Sequence, residues 1–460
     1  MITVSYHTLR SWLEALETRG YLKKIKREVD PVFELAAVAK KADGQWAVKF
    51  EKVKGYSMPV VAGILSTRQM IAEAMGVSIA EVVTKFAGAQ ANPVPCRLIS
   101  REQAPVKEVI IRDHIDIVSM FPVPTHHEKD AGPYITAALL IAKDPSTGVR
   151  NVSIHRLQVL GPNKLGILIL PRHLWHIYQK AEENDRPLEV ALVIGADPLT
   201  LLASQAITPF GVDELEIAGA LHGEPLQLVK CETVDIEVPV HAEIVLEGRL
   251  LPGVREMEGP FGEYPKYYGP ASKKPVIVID AVTCRRQPVY QTIVAATMEH
   301  LLLGAIPREA GLFQIVKQAV SSVQAVHLTP GGACRYHAVI AIDKKNEGEA
   351  KNAMFAAFAS SAEIKHVVVV DKDVDIFNSE DVEWAIATRC QAGRDVIIIS
   401  GAHGNKLDPS SDDGISDKMG IDATVPLGAP AERFEKIKIP DFEKIRLEDY
   451  LEDHEQKTVL

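Results

Sequence analysis

Cysteine is scarce in this sequence. Five cysteines are scattered among 460 residues, with no CxxC or CxC spacing. A disulfide framework is therefore excluded, as is a zinc site built on cysteine pairs. The pattern is typical of a reducing compartment, and we expect a cytoplasmic location.

Long apolar runs and an excess of basic residues are also missing. The apolar stretches, such as residues 367–370 and 396–399, are of strand length and fall far short of the roughly 20 residues that cross a bilayer. The first 30 residues carry acidic side chains and lack a continuous apolar core, so they do not predict a signal peptide. Lys and Arg total 51 against 61 Asp and Glu, a net charge of −10. This balance argues against a partner such as nucleic acid or a membrane surface, although a local arginine pocket could still bind a small anion.

Common nucleotide-binding and hydrolase motifs are absent as well. The sequence has no Walker motif, no GxGxxG that opens a helix and no GxSxG nucleophile elbow. Chemistry must therefore be sought in less familiar combinations of residues.

Apolar residues are plentiful, and their pattern changes along the chain. Hydrophobic residues make up 47% of the 460 residues, which is enough for two to three domains. Helix and strand patterns alternate in residues 1–105, short β-rich runs dominate residues 106–310, and alternation returns in residues 311–431. The central runs favour a sheet closed or folded on itself, and the whole predicts a mixed α/β (α+β) fold. Residues 432–460 are charged and predict a helical extension that docks on another subunit.

Several individual elements can be predicted from apolar spacing. Helical patterns cover residues 28–41, 172–184, 309–323 and 379–388, and KHVVVVD at 365–371 has the composition of a buried strand.

The segment EMEGPFGEYPKYYGP, residues 256–270, is the sharpest local feature. Glu258 and Glu263 flank a constrained GPFG turn that can hold two carboxylates close together. Because like charges repel, one of two such carboxyls has a raised pKa and can act as a proton donor near neutral pH. A surface turn with two solvated acids is the alternative interpretation.

Two other segments carry polar residues of interest. In NVSIHR, residues 151–156, strand alternation places Asn151, Ser153 and His155 on one face, which would meet a phosphate, a metal or a cofactor unless it faces solvent. In LPRHLWH, His173 and His176 share one face of a predicted helix, where a cap or surface position is the more common role.

Taken together, these motifs resemble the UbiD family of prenylated-flavin-dependent decarboxylases. The order NVSIHR, PRH, DELEIAGALHGEP, VKCETVDIEVP, EGPFGE and SDKMGIDAT is similar to that family along nearly the whole chain. The resemblance implies a split-barrel flavin-binding domain between two α/β domains, and a C-terminal extension used in dimer contacts. It also implies reversible non-oxidative decarboxylation of an aromatic or heteroaromatic acid through a covalent adduct with prenylated FMN. A flavin prenyltransferase would supply the cofactor, and the enzyme would be a homodimer or a hexamer built from dimers.

The resemblance assigns cofactor-binding roles to residues at the matching positions. Asn151, His173 and Glu214 would bind Mn²⁺ or Mg²⁺, which bridges the protein to the flavin phosphate, and amide, imidazole and carboxylate ligands suit such a cation. The other residues implied to hold the flavin or a potassium ion are Ser153, Ile154, His155, Arg156, Arg172 and Lys365 for the flavin, and Thr136, Ala203 and Ser204 around K⁺. His155 departs from the small or hydroxylated residue that many members have before the arginine.

Arg156, Glu258 and Glu263 match the catalytic Glu-Arg-Glu network of the family. Arg156 would orient the substrate carboxylate, Glu263 would protonate the carbon that loses carbon dioxide, and Glu258 would keep Arg156 aligned.

The substrate is the least constrained of these predictions. His300, Arg308 and Arg335 resemble the branch of the family that decarboxylates furan-2,5-dicarboxylate, with His300 near the ring oxygen and both arginines near the distal carboxylate. The alternatives are that His300 packs in the core while the arginines pair with surface acids, or that the substrate is pyrrole-2-carboxylate or a hydroxybenzoate. An ordinary flavin reductase and a non-catalytic assembly subunit are more remote functions, and neither would need Arg156, Glu258 and Glu263 together.

Overall fold

The structure, a computed structural model, describes residues 6–450. Its first part packs helices against a small sheet. Helix α1 begins after Thr8, whose side chain accepts a hydrogen bond from the Ser11 N–H at 2.9 Å, a common N-terminal cap. The elements of this part are α1 (Leu9–Thr18), β1 (Leu22–Ile25), α2 (Glu34–Ala42), β2 (Ala47–Phe50), β3 (Val60–Ala62), α3 (Arg68–Met75) and α4 (Val82–Ala91).

The central part is rich in strands. Its elements are β4 (Arg97–Leu98), β5 (Val109–Ile111), α5 (Ile117–Met120), β6 (Tyr134–Ile135), β7 (Leu139–Lys143), β8 (Arg150–Ile154), β9 (Leu157–Gly161), β10 (Lys164–Ile167), α6 (His173–Glu183), β11 (Leu188–Ile194), α7 (Pro198–Ala203), α8 (Glu214–His222), β12 (Gln227–Lys230), β13 (Glu237–Pro239), β14 (Ile244–Glu258), β15 (Phe261–Gly262), β16 (Tyr268–Gly269), β17 (Ser272–Cys284) and β18 (Tyr290–Gln291). Strand β18 pairs with β3 and so completes the small sheet of the first part.

The large central sheet is antiparallel and curls on itself. Its hydrogen-bonded order is β6-β9-β10-β17-β14-β11-β7-β8, with β5 on β17. Strand β8 ends this path, whereas β9 lies near its other end, and only His155 and Arg156 separate the two strands in sequence. The ends of the sheet must therefore meet at these two residues, which is the geometry of a split barrel. The predicted closed central sheet is confirmed.

The last part is a sheet covered by helices. Its elements are α9 (Met298–Ala319), β19 (Val323–Leu328), β20 (His337–Ile342), α10 (Glu349–Ser360), β21 (His366–Asp371), α11 (Ser379–Arg389), α12 (Ala392–Asp395), β22 (Val396–His403) and β23 (Ile415–Ala423). The sheet order is β19-β20-β21-β23-β22. The central strands β20, β21 and β23 pair in parallel, and Val367 to Val370 of β21 are fully or almost fully buried, as their composition predicts.

Two helices differ from their predicted bounds. Helix α9 begins at Met298 and continues through Pro307, although proline lacks the N–H that the helix needs and predicts a break. Most residues of α9 are buried, so tertiary packing outweighs the lost hydrogen bond. Helix α2 begins at Glu34 and not at residue 28, because Asp30 and Pro31 form a turn in which the Asp30 carboxylate accepts the Val32 N–H.

The predicted helical extension at 432–460 also differs from the structure. Up to residue 450 this segment forms only short 3₁₀ turns, and its sequence has Pro440 and no helical apolar period. Residues 451–460 lie outside the described residues. The predicted domain boundaries near 105 and 310 stay predictions, and α9 runs through residue 310.

Two predictions drawn from absences can be compared with the structure. All five cysteines are unpaired, as expected. Among the helices of residues 6–450, none has the length and apolar character required to span a membrane.

Candidate active site

A cavity of about 630 Å³ opens where the ends of the curled sheet meet. It is lined by β8 and the loop after it, the start of α6, the loop after α7, the start of α8, the turn after β15, one side of α9 and the loop before β21. The predicted site residues that line it are Thr136, Asn151, Ser153, Ile154, His155, Arg156, Arg172, His173, Ser204, Glu214, Glu263, His300, Arg308 and Arg335. One cavity thus brings together most of the residues to which the sequence motifs assigned a role in the site.

The expected alternation along NVSIHR does not hold at its end. Strand β8 stops at Ile154, and the chain turns between Ile154 and the start of β9. Ile154 and Arg156 therefore line the cavity together with the residues predicted for the opposite face.

Arg156 binds two carboxylates at the base of the turn. Its Nε donates to Glu258 Oε1 at 2.9 Å and its Nη2 to Glu258 Oε2 at 2.6 Å, a bidentate pair, while Nη1 donates to Glu263. Phe261 lies beneath the guanidinium, with its ring centroid 5.3 Å from Cζ. Glu258 is completely buried and also accepts a hydrogen bond from the Tyr134 hydroxyl at 3.2 Å. Glu258 does not line the cavity, so its contacts fix the arginine from behind.

Glu263 is the carboxylate of this network that reaches the cavity. Burial raises its pKa, the Arg156 guanidinium acts in the opposite direction, and the nearby Glu258 and Asp130 charges raise it further; the net shift is upward. A carboxyl with a raised pKa retains its proton at higher pH than a solvated glutamate does.

The turn that carries Glu263 is held from outside by Asp130. This carboxylate is fully buried; its Oδ1 accepts the Gly262 N–H at 2.9 Å and its Oδ2 accepts the His127 N–H at 2.9 Å. A Cβ on Gly262 would lie 2.5 Å from His127 Nδ1, so only glycine allows the turn to approach this closely. Sequence patterns gave no sign of Asp130, which is more than 130 residues from the turn.

Asn151 and Glu214 form a second polar group on the opposite wall. The Asn151 amide donates to Glu214 Oε1 at 3.0 Å, and the Val152 N–H donates to Oε2 at 2.7 Å. Burial raises the pKa of Glu214 to about 8, and no cationic side chain of residues 6–450 lies within 4.0 Å of it. Asn151 Oδ1 is buried and has no hydrogen-bond partner in the described chain.

This donor set fits a hard divalent cation. An unpartnered amide oxygen and a buried, uncompensated carboxylate are both groups that such a cation would satisfy. His173, the first residue of α6, lines the same cavity. Residues 6–450 contain no group of three or more His, Cys, Asp or Glu side chains that could hold a metal, so the predicted set depends on the Asn151 oxygen.

His155 is held as a neutral imidazole. Burial lowers its pKa to about 4, Nδ1 lies 3.0 Å from the Leu168 carbonyl, and Nε2 lies 2.9 Å from the Ser153 hydroxyl. With the proton on Nδ1, His155 donates to the carbonyl and accepts from Ser153. It therefore fixes the direction of a hydroxyl at the cavity wall.

Two predicted cofactor contacts lie elsewhere in this structure. Lys365 does not line the cavity; its Nζ donates to Asp408 at 2.8 Å and to Ser410 at 2.6 Å. Of the three residues predicted around K⁺, Thr136 and Ser204 line the cavity and Ala203 does not. The roles of these residues stay predictions.

His300 also presents one defined tautomer. Burial and the nearby charges of Arg335 and Arg308 lower its pKa to about 3. Its Nδ1 accepts the Ala296 N–H at 3.3 Å, which leaves the ring proton on Nε2. A neutral imidazole that donates through Nε2 suits a ring heteroatom with a lone pair.

Arg335 and Arg308 lie at the cavity, and their contacts differ from the predicted alternative of ion pairs with surface acids. Arg335 is 6% exposed, donates to the Cys334 carbonyl at 2.8 Å, and makes no ion pair within 4.0 Å among the described residues. Arg308 donates through Nε to Glu363 at 3.0 Å. Neither arginine pairs with a surface acid, because Glu363 itself lines the cavity.

Tyr264 is a site residue that sequence reasoning missed. It follows Glu263 directly, and its hydroxyl lies 3.0 Å from the Tyr336 hydroxyl and accepts the Asn405 amide at 2.7 Å. Its ring lies 5.3 Å from the Arg335 guanidinium carbon. The aromatic residues of YPKYYGP in the sequence were a signal, but nothing in them identified the partners.

Models of known families match most of the chain. A model described as the 3-octaprenyl-4-hydroxybenzoate carboxy-lyase N-terminal domain (UbiD_N) matches residues 13–89, the Rift-related domain of the same carboxy-lyase (UbiD) matches 97–298, and its C-terminal domain (UbiD_C) matches 301–423.

Individual proteins and structures are similar over almost their whole length. Anhydromevalonate phosphate decarboxylase of Methanothermobacter thermautotrophicus is 41% identical over 93% of this chain and 99% of its own. The phenolic acid decarboxylase of Sedimentibacter hydroxybenzoicus is 34% identical over 92% of each chain. The UbiD-class enzyme HmfF from Pelotomaculum thermopropionicum, solved in complex with FMN, is 66% identical over 97% of this chain and 100% of its own, with a TM-score of 0.96. An evolved dimeric form of the same enzyme, in complex with prFMN, has a TM-score of 0.91.

Proposed function

The chain belongs to the UbiD family of carboxy-lyases, and from this premise we propose that it decarboxylates furan-2,5-dicarboxylate to furan-2-carboxylate with prenylated FMN as cofactor. The similarity to HmfF, at 66% identity, supports this substrate over the substrate of anhydromevalonate phosphate decarboxylase, to which the chain is 41% identical. Family membership also argues against the flavin reductase and the assembly subunit.

The observation that carries the substrate is the unneutralised arginine at the cavity. Arg156 already serves the carboxylate that is lost, so Arg335 is available for a second anionic group. A buried guanidinium whose hydrogen bonds all go to carbonyl oxygens is costly, and a distal carboxylate would offset that cost. His300 would donate its Nε2 proton to the furan oxygen between the two carboxylates.

The residues of the Glu-Arg-Glu network orient the substrate carboxylate and transfer the proton. Arg156 orients the reacting carboxylate, while Glu258 prevents the guanidinium from turning. Glu263, with its raised pKa, donates a proton to the ring carbon after carbon dioxide leaves, and it takes a proton back in the carboxylation direction. When bound, prenylated FMN supplies the electron sink for cleavage of the carbon–carbon bond.

The cofactor-holding residues are part of the same proposal. Asn151, His173 and Glu214 would bind Mn²⁺ or Mg²⁺ next to the cofactor phosphate, and Ser153, His155 and Arg172 would line the flavin; Thr136 and Ser204 would contact K⁺. A flavin prenyltransferase would supply the cofactor.

The experiment is a comparison of acids. Protein produced with a flavin prenyltransferase is assayed for carbon dioxide release from furan-2,5-dicarboxylate, furan-2-carboxylate, pyrrole-2-carboxylate and 4-hydroxybenzoate, as wild type and as Arg308→Ala. We expect the dicarboxylate to be turned over best and Arg308→Ala to reduce that preference, whereas Arg112→Ala, at an exposed arginine that pairs with Glu232, leaves it unchanged. Best turnover of a monocarboxylate, with no effect of Arg308→Ala, would contradict the substrate and leave only the decarboxylase class.

A further inference from the structure

Glu363 brings a carboxylate into the arginine-rich end of the cavity. It lies in the loop between α10 and β21, and its Oε2 accepts Arg308 Nε at 3.0 Å. Its Oε1 accepts Asn405 Nδ2 at 3.0 Å and lies 3.9 Å from Arg172 Nη2. One side chain thus contacts α9, the loop after β22 and the residue that precedes α6.

Contacts other than the one with Arg308 also hold this carboxylate in place. The Glu363 N–H donates to the Ser361 hydroxyl at 3.2 Å, and two residues later the Lys365 N–H donates to the Tyr336 carbonyl at 2.8 Å. Asn405, which holds the second carboxylate oxygen, also donates to the Tyr264 hydroxyl at 2.7 Å. The loop and the carboxylate are therefore tied to the protein at points other than the arginine.

The charges at this end of the cavity are unequal. Burial opposes ionisation of Glu363, but Arg308, Arg335 and Arg172 together lower its pKa to about 2, so it is an anion at neutral pH. Its closest charged contact is with Arg308. Burial and the like charge of Arg308 lower the pKa of Arg335 to about 10, so Arg335 is still a cation at neutral pH.

We propose that Glu363 is a positioning residue that gives the cavity its selectivity for a single distal carboxylate. It fixes Arg308 by its Nε edge at the cavity wall, so that Arg308 and Arg335 can both meet the distal carboxylate, and its own charge offsets one of the two arginine charges. This inference rests on the proposed dicarboxylate substrate.

A simple counter-ion role would have the opposite consequence. If Glu363 only occupied the place of the substrate carboxylate, removing its charge would remove a competitor, and the dicarboxylate would bind more tightly. If Glu363 positions Arg308, removing its charge frees the guanidinium to rotate, and the dicarboxylate binds more weakly. The sign of the effect therefore separates the two roles.

The test uses the prenylated-FMN holoenzyme as wild type, Glu363→Gln, Arg308→Ala and the double variant. The measurements are kcat and KM for furan-2,5-dicarboxylate and the inhibition constant of furan-2-carboxylate. We expect Glu363→Gln to raise KM about tenfold with kcat within about twofold, and to leave the inhibition constant of the monocarboxylate unchanged. The double variant should be no worse than Arg308→Ala, because both changes remove the same interaction.

Two further variants keep the result interpretable. Glu182→Gln removes a carboxylate from a comparable arginine pair, that with Arg255, far along α6, and should leave every constant unchanged. If Glu363→Gln does not fold, Arg308→Lys retains the charge but lacks the Nε donor, and we expect the same rise in KM.

Three outcomes would overturn the inference. The first is an unchanged or lower KM in Glu363→Gln, or in Arg308→Lys where that variant replaces it. The second is a parallel rise for the monocarboxylate, and the third is additive effects in the double variant. A wild type that does not prefer the dicarboxylate at all would overturn the proposed substrate as well, and this comparison needs no variant, so the two failures are distinguishable.

Discussion

A single buried arginine binds both carboxylates of the candidate proton-transfer network. Glu258 takes two of its donors and Glu263 takes one. The two acids differ because Glu258 is sealed behind the arginine whereas Glu263 reaches the cavity. The same guanidinium can therefore hold one carboxylate permanently and the other reversibly, which is what a proton donor requires.

Glu263→Gln should abolish turnover without loss of cofactor. Loss of a general acid commonly costs about 10²–10⁴-fold in rate, and the amide retains the size and a hydrogen-bond acceptor of the side chain. Carbon dioxide release and flavin absorbance measure the two effects. The matched control is Glu256→Gln on β14, where the carboxylate pairs with Lys164 at the surface. More than half of wild-type activity in Glu263→Gln would remove the residue from this role.

Turnover should fall as pH rises, because Glu263 must be protonated to donate. Asp130→Asn removes a negative charge that raises the pKa of Glu263, yet it retains an oxygen for the Gly262 N–H. The pKa of Glu263 then falls, and the alkaline limb of the kcat profile should move to lower pH by up to about one unit. Asp144→Asn, at a buried carboxylate that binds Lys180, is the control. A profile that does not move, or moves to higher pH, would contradict the role of Asp130.

Glu214→Gln should reduce bound metal before it affects the fold. The neutral amide is a weaker ligand for a hard cation, while its single oxygen can still accept the Val152 N–H. Elemental analysis of the purified protein and flavin absorbance measure occupancy, and circular dichroism measures the fold. Glu216→Gln on the same helix is the control. Full metal content in Glu214→Gln would exclude this carboxylate as a ligand.

At the scale of elements, apolar periodicity predicted those helices and strands that the local sequence determines. Helices at 172–184 and 379–388 appear as His173–Glu183 and Ser379–Arg389, and the valine-rich strand appears as His366–Asp371. Helix α9 was placed eleven residues late, because Gly304 and Pro307 locally oppose a helix that burial stabilises.

Only the residues of the candidate site that stand in recognisable sequence motifs could be predicted. Arg156 and Glu263 stand in recognisable segments, whereas the contact of Asp130 with Gly262 and that of Arg308 with Glu363 join residues far apart in sequence. Such pairs depend on how strands and helices pack together in the folded molecule, so the spacing of apolar residues along the sequence cannot predict them. Lys365 shows the reverse case, since its motif matches but its described partner is Asp408.

Helix α9 offers a direct test of the arginine end of the cavity. A Cβ on Gly304 would lie 1.6 Å from Arg335 Nη2, so Gly304→Ala must displace that guanidinium. We expect KM for the dicarboxylate to rise several-fold with the fold retained, since the displaced group is the end of a flexible side chain. Gly311→Ala on the same helix meets nothing within 4 Å and should have no effect. An unchanged KM in Gly304→Ala would contradict the role of Arg335.

At the scale of the whole molecule, the segment near residue 440 exposes apolar side chains. Ile437 is 100% exposed and Ile439 71%, and Phe442, Ile445 and Leu447 are each more than half exposed. Apolar side chains grouped in this way are typical of a subunit interface, and the homodimer or hexamer stays a prediction.

Ile439→Asp combined with Phe442→Asp should therefore shift the protein towards smaller species. Multi-angle light scattering measures the mass in solution, and the charge placed in an apolar contact would weaken association. Val32→Asp, at an exposed apolar residue elsewhere, is the control. An unchanged mass would exclude this segment from the interface.

The separation of the GPFGE turn from helix α9 has a consequence for how such an enzyme diversifies. The proposed proton delivery depends on the turn, on the loop between β8 and β9 and on β14, whereas His300, Gly304 and Arg308 belong to one helix. Residues along that helix can therefore change during evolution, so that the enzyme accepts a different acid as substrate, while the residues of proton transfer stay the same.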